Sequence, residues 1–164
     1  MPAAYEFVDR WFVPFPVEDV YDVIGDALTY PTWWGDVFLE IGGDDGPPRV
    51  GRRSTITARG FLPYRLHFRS EVVAAERPKL IRMTLEGDFE GGGEWTFEPA
   101  EGGTNAVLDW RPIVNKPLVK YLTPVLRPLF RSNHTWTMKR GEKHIADYLA
   151  SRASVAAREP GRSA

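Results

Sequence analysis

Pro128-Leu129-Phe130-Arg131-Ser132-Asn133-His134-Thr135-Trp136-Thr137-Met138-Lys139-Arg140-Gly141-Glu142-Lys143-His144-Ile145-Ala146-Asp147-Tyr148-Leu149 sets Phe130, His134, Met138, Gly141, Ile145 and Tyr148 at three- and four-residue spacing. That spacing places them on one face of a helix. The face is mostly apolar, and so long an amphipathic helix needs a sheet to lie on. A plain core helix would carry Leu or Ala where this one has His134 and Gly141. The stripe therefore predicts a space between helix and sheet with room for a ligand.

Upstream of this segment the chain reads as strands and turns. Tyr5, Phe7, Trp11 and Val13 alternate with Glu6 and Arg10, the period-two pattern of a strand with one buried face, and Asp9 is the exception on the apolar side. Pro16 opens a short helix with acids in its first turn and Gly25 at its end; Thr29 to Gly35, with Pro31 near its start, reads as a second. A meander follows, with strands over Val37–Ile41, Gly51–Arg59, Tyr64–Ala75 and Leu80–Glu86. Gly91-Gly92-Gly93 is expected to interrupt the sheet before the strands Glu94–Glu98 and Ala106–Val114. Pro117, Pro124 and Pro128 argue against continuous helix before Pro128. The helix is thus expected from Pro128 to about Ser151, and residues 151–164, small and polar, as a disordered tail.

Bulk composition narrows the function classes. A chain of 164 residues is one domain in size. The lack of cysteine excludes disulfides, thiolate metal sites and thiol nucleophiles, and fits a cytoplasmic location. Met1-Pro2-Ala3-Ala4-Tyr5 is not a basic start followed by an apolar run, and no stretch approaches ~20 apolar residues, so neither secretion nor stable membrane insertion is expected. A formal net charge of -1, with 21 basic and 22 acidic residues, argues against a nucleic-acid partner. Aromatics make up 13% of the chain, six of them Trp, and they can fill a core or line a pocket.

One strand, two short helices, six further antiparallel strands and a long C-terminal helix form the order of the helix-grip fold, an α+β architecture. The stretches Pro16-Val17-Glu18-Asp19-Val20-Tyr21-Asp22-Val23 and Tyr30-Pro31-Thr32-Trp33-Trp34 resemble the opening of the START/Bet v1-like (SRPBCC) superfamily, particularly its polyketide cyclase/dehydrase and lipid-transport branch. The turn Ala75-Glu76-Arg77-Pro78-Lys79 and the strand Gly93-Glu94-Trp95-Thr96-Phe97 extend the resemblance, so residues 1–150 are expected to form a single ligand-binding domain. The resemblance implies a seven-stranded sheet curled around the C-terminal helix. It also implies a deep apolar cavity bordered by the short helices, and a hydrophobic small-molecule partner.

His134 is the sharpest candidate for chemistry, since an imidazole within an apolar stripe can exchange a proton or hydrogen bond with a ligand carbonyl or enol. The plainer alternative ties it to a strand carbonyl. Asn133 and Thr137 flank the same face and serve either a ligand or nearby backbone. Trp34 belongs to the short helix at the cavity entrance, beside Trp33. Tyr64, Phe68, Met83 and Trp95 from the strands, with Phe130 and Met138 from the helix, are expected to line the cavity, and ordinary packing is the alternative for each.

Strand register decides a further set, because a shift by one residue turns every side chain over. With Tyr64, Leu66 and Phe68 inward, His67 faces solvent; with the sheet inverted, Arg65, His67 and Arg82 form a basic pocket. Asp109 and Arg111 share a face and either pair or line the pocket. His144 lies off the stripe and is expected in solvent. No Gly-x-Ser-x-Gly, His-Glu-x-x-His or P-loop pattern occurs, and no cofactor or metal is expected. The leading expectation is a binder of a lipid, polyketide or aromatic metabolite. A polyketide cyclase/dehydrase using His134 or an inward arginine is the alternative, and an interaction module with a filled core is a third reading.

Overall fold

A computed structural model describes residues 3–115 and 117–158. The elements run β1 (Ala3–Ala4), β2 (Phe7–Val13), α1 (Val17–Gly25), a 3-10 turn (Ala27–Thr29), α2 (Tyr30–Trp33), β3 (Phe38–Gly43), β4 (Arg53–Ala58), β5 (Leu66–Glu76), β6 (Leu80–Gly87), β7 (Phe89–Ala100), β8 (Gly103–Val114) and α3 (Pro117–Arg158). All strand pairs are antiparallel, in the order β1-β8-β7-β6-β5-β4-β3, with β2 also on β8. Ala3 faces Val114, Phe7 faces Trp110, and the Tyr5 amide donates to the Pro112 carbonyl at 3.0 Å between them. β1 and β2 are therefore two pieces of one strand in unbroken register, and the sheet is the expected seven-stranded one with α3 in its grip.

Alternation fixes which side chains meet α3. Along β2, Trp11 and Val13 are buried while Val8, Arg10 and Phe12 are exposed, and Asp9 lies on the inner, half-buried side. Along β4 and the residue before it, Arg52, Ser54, Ile56 and Ala58 are buried on the inner side, which continues across the sheet through Ser54↔Ser70 and Ile56↔Phe68. Arg65, His67 and Arg82 are exposed, so the inverted register and its inward basic pocket are excluded. Instead Arg82 binds Glu94 at 2.6 Å and His67 Nδ1 meets the Thr57 hydroxyl at 3.1 Å on the outer surface.

Three boundaries differ from those expected. The Gly91–Gly93 run does not interrupt the sheet: β7 is continuous, and Met83↔Gly93↔Trp110 is an ordinary row of partners. Glycine is tolerated there because neighbouring strands on both sides supply the ladder. α3 starts at Pro117 and passes through Pro124 and Pro128, although each interior proline costs about 3 kcal/mol. Tertiary contacts hold this part: Phe130 packs edge-on to Tyr64, and the Arg127 guanidinium lies 4.9 Å over the Tyr5 ring. At the other end the helix runs on to Arg158, so 151–158 are helical and not a disordered tail; 159–164 lie outside the described residues. With 42 residues, α3 is ~63 Å long. Among the described residues no helix is long and apolar enough to cross a membrane.

Candidate functional site

Where α3 crosses the sheet, two regimes meet. Around Gly141 the contact is closed: a methyl group placed there would lie 2.5 Å from the Trp34 ring and 2.7 Å from the Trp11 ring. Trp34 stacks on Trp33 with ring centres 5.4 Å apart and meets Trp11 edge-on at the same distance, and its indole N–H donates to the Thr137 carbonyl at 3.0 Å. Gly141 thus marks close approach of helix to sheet, contrary to the spacious reading of that position. Both Trp33 and Trp34 are buried in the core.

One to three turns earlier along α3 the helix and sheet stand apart and border a cavity of about 220 Å³. Phe130, Asn133, His134, Thr137 and Met138 border it from the helix, and Tyr64, Phe68, Met83 and Trp95 from the strand side, with Trp34 at its packed limit. All ten sequence-selected residues therefore meet around one hollow. Gly93 helps to leave it open: it brings no side chain between Trp110 and Met83 in its row, and a methyl there would come within 3.2 Å of Trp110.

His134 is 7% exposed, and its Nε2 lies 2.6 Å from Asp9 Oδ2, not against a strand carbonyl. The ring is stacked on Phe7 at 3.9 Å and leans on Trp110 at 5.1 Å. A carboxylate only accepts, so Nε2 carries the hydrogen shared with Asp9, which fixes the orientation of the ring. Asn133 serves backbone: its Oδ1 accepts from the amides of Phe61 at 2.8 Å and Leu62 at 3.4 Å, pinning the 59–65 loop to the helix. The Thr137 hydroxyl donates to the His134 carbonyl at 2.7 Å within the helix.

The opposite wall carries a polar group that sequence reading did not select. Arg52, 3% exposed, donates to the Asp44 and Gly25 carbonyls and to Asp26 Oδ1 at 2.8 Å. Ser54, 5% exposed, and its cross-strand partner Ser70 border the cavity beside it. The signal was present in the run Arg52-Arg53-Ser54-Thr55-Ile56, but without a register it cannot be told which half faces inward. Three phenols, Tyr5, Tyr30 and Tyr64, also border the cavity. Burial raises the Tyr64 hydroxyl, helped by nearby Tyr5, from its ordinary value of 10 to about 12. Burial likewise pushes Tyr30 upward; its hydroxyl donates to the Ile24 carbonyl.

Elsewhere Asp109 and Arg111 pair at 3.1 Å on the outer face, with Glu6 3.3 Å from Arg111. His144 is half-buried, with Nδ1 3.6 Å from Asp36 Oδ1, so it is not the solvated residue expected. The same carboxylate is held by Arg140 through its other oxygen.

A family described as polyketide cyclase/dehydrase and lipid transport matches residues 6–150. No curated protein sequence matches the chain. Among solved structures, TTHA0849 from Thermus thermophilus superposes with a TM-score of 0.67 at 20% identity, over 88% of this chain and 99% of that one. The di-domain ARO/CYC BexL from the BE-7585A biosynthetic pathway gives 0.66 at 16% identity, over 88% of this chain and 49% of the other. A Thalictrum norcoclaurine synthase point mutant in complex with a transition-state analogue gives 0.60 at 13%, over 93% and 98%. These likenesses are of fold.

Proposed function

Because the chain belongs to the polyketide cyclase/dehydrase and lipid-transport family, we propose that it binds a hydrophobic small molecule, a lipid, polyketide or aromatic metabolite, in the cavity between sheet and α3. The observation that carries this reading is the hollow itself. Protein interiors leave few voids larger than a water molecule, and one of about 220 Å³ walled by aromatic rings has the make-up of a ligand site. Native mass spectrometry of freshly purified protein tests it. A retained hydrophobic adduct is expected; bare protein mass, together with no change in tryptophan emission on titration with lipids and aromatic compounds, overturns it.

The Asp9–His134 pair favours a second reading, a polyketide cyclase/dehydrase that uses the same cavity. His134 would take a proton from the carbon between two carbonyls of a poly-β-keto chain. The C–H bond breaks, an N–H bond forms at Nδ1, and the electron pair spreads onto the carbonyl oxygens as an enolate. Positioned proton transfer of this kind contributes ~10²–10⁴-fold. His134→Ala should lower turnover of a polyketide surrogate by that factor. A variant with unaltered turnover and unaltered ligand retention removes His134 from the site.

A further inference from the structure

The sheet-facing side of α3 carries Phe130, His134, Met138, Gly141 and Ile145, but the opposite side holds a second apolar stripe that the core does not cover. Tyr121, Val125 and Leu129 follow at four-residue spacing and Trp136 comes seven positions later, which sets all four on one helix face. Tyr121 is 80% exposed, Val125 79% and Leu129 38%, and every described side chain from Pro117 to Leu129 is exposed. The 59–65 loop extends this face. Asn133 pins the loop to α3, and at its tip Phe61, 45% exposed, meets the half-buried Trp136 edge-on with ring centres 6.0 Å apart. Single exposed apolar residues are ordinary on a protein surface, whereas a contiguous set of them marks an interface.

The charges around the patch indicate what covers it. From Trp110 to Gly141 the sequence contains no Asp or Glu. Arg65 beside the loop tip and Arg127, Arg131 and Lys139 on the helix are exposed, and among the described residues none of these four has an acidic partner. Arg140, 5.0 Å over the Trp136 ring, is answered by Asp36. A second copy of the chain on the same patch would bring these cations against one another with no acid between them, which is unfavourable. An anionic bilayer suits both features. Its headgroups take Lys and Arg, its acyl boundary takes Val, Leu and Phe, and Tyr and Trp rings rest at the level between. Among the described residues no helix is long and apolar enough to cross a membrane, so the contact is with the surface.

We propose that α3 and the 59–65 loop dock the protein on a bilayer of anionic lipid. Tyr121, Val125, Leu129 and Phe61 enter the interface, and Arg65 and Lys139 meet lipid phosphates. Docking of this kind is independent of what occupies the cavity, so its failure leaves the ligand-binding reading intact.

Flotation of the full chain with phosphatidylcholine vesicles, with and without an equal share of phosphatidylglycerol, tests this. Binding is expected on the anionic vesicles, weakening as salt rises, and little on the neutral ones. Val125→Glu and Leu129→Glu should each weaken it roughly tenfold, the effect of withholding one large apolar side chain from the interface. Arg65→Gln and Lys139→Gln should each weaken it roughly fivefold and flatten the salt dependence. Val8→Glu, on the outer face of β2 at a residue 55% exposed, is the control and should bind as the parent does. No flotation with either vesicle, or equal flotation with both, overturns the docking, and so does a loss in Val8→Glu as large as that in Val125→Glu. A concentration-dependent dimer in sedimentation that Leu129→Glu abolishes also overturns it and assigns the patch to a second copy of the chain.

Discussion

The two ends of the contact between α3 and the sheet are built from the same residue types and behave oppositely. At Gly141, indoles from β2 and from the turn after α2 press onto the helix backbone with no room for one more carbon. Around His134, Phe7 of β2 and Trp110 of β8 lie against the imidazole, while Phe68 of β5 and Phe89 of β7 pack beside them and about 220 Å³ is left open. Aromatic content is therefore a poor guide to whether a region is core or pocket; the side-chain volume at the helix position facing the rings decides it. A glycine lets the helix descend, and the larger Phe130, His134 and Met138 hold the next turns away.

Truncating a large ring at each end should separate them most. Trp34→Ala removes a buried indole and its bond to the Thr137 carbonyl, and is expected to cost about 3–5 kcal/mol in denaturant unfolding. Phe68→Ala, at a half-buried ring facing space that is already empty, should cost only about 1–2 kcal/mol. Equal costs would mean that the hollow is filled in solution by movement of its own walls. The same pair reads function in reverse: Phe68→Ala should change hydrophobic ligand affinity in calorimetry more than any conservative change around Gly141.

Adding atoms is the complementary test. Gly141→Ala gains about 1 kcal/mol of helix propensity but places a methyl group against two indoles, with an expected net loss of about 1–2 kcal/mol. Ser70→Val adds comparable volume at the open end, where no packed neighbour is displaced, and should be nearly neutral, within about 0.5 kcal/mol. Its effect should appear instead as weaker ligand binding. If Ser70→Val destabilises as much as Gly141→Ala, the difference between the ends is not one of packing.

The sequence exposed the fold because its signals were local: period-two strands, Gly- and Asp-rich turns, and a helix stripe from Phe130 to Tyr148. The cavity-facing residues of β5 and β6 were legible from alternation once Tyr64, Leu66 and Phe68 were taken inward. What remained hidden depended on distance in space. Asp9 was visible as a carboxylate on an apolar face, but its partner is 125 positions away. Arg52 and Ser54 sit in a strand whose polar and apolar residues do not alternate cleanly, so no periodicity marks them. Gly141 carried a real signal with two opposite meanings, open space or close approach, and only the positions of Trp11 and Trp34 choose between them. The prolines at 124 and 128 misled because helix propensity was weighed without the anchoring of Phe130 and Arg127 against Tyr64 and Tyr5.

The smallest expected effect is in alkali, and it tests whether the open end is dry. Tyr64 borders the hollow, and burial raises its pKa from 10 to about 12. The folded state thus holds this phenol neutral where the unfolded chain would ionise it. For a group whose folded pKa is raised, the contribution to stability is complete below pH 10 and is lost as pH climbs from about 10 to about 12. Tyr30 and Tyr21, both also raised by burial, lie nearer the closed end and give the unmodified protein part of the same decline. Tyr64→Phe should consequently make the fall of Tm between pH 10 and 12 shallower without removing it. Saturation with a hydrophobic ligand should shift the remaining fall in the parent protein to higher pH, because an occupant covers Tyr64 further. A fall of Tm identical in Tyr64→Phe and parent would mean that water reaches this phenol freely, and that the open end is a cleft filled with solvent.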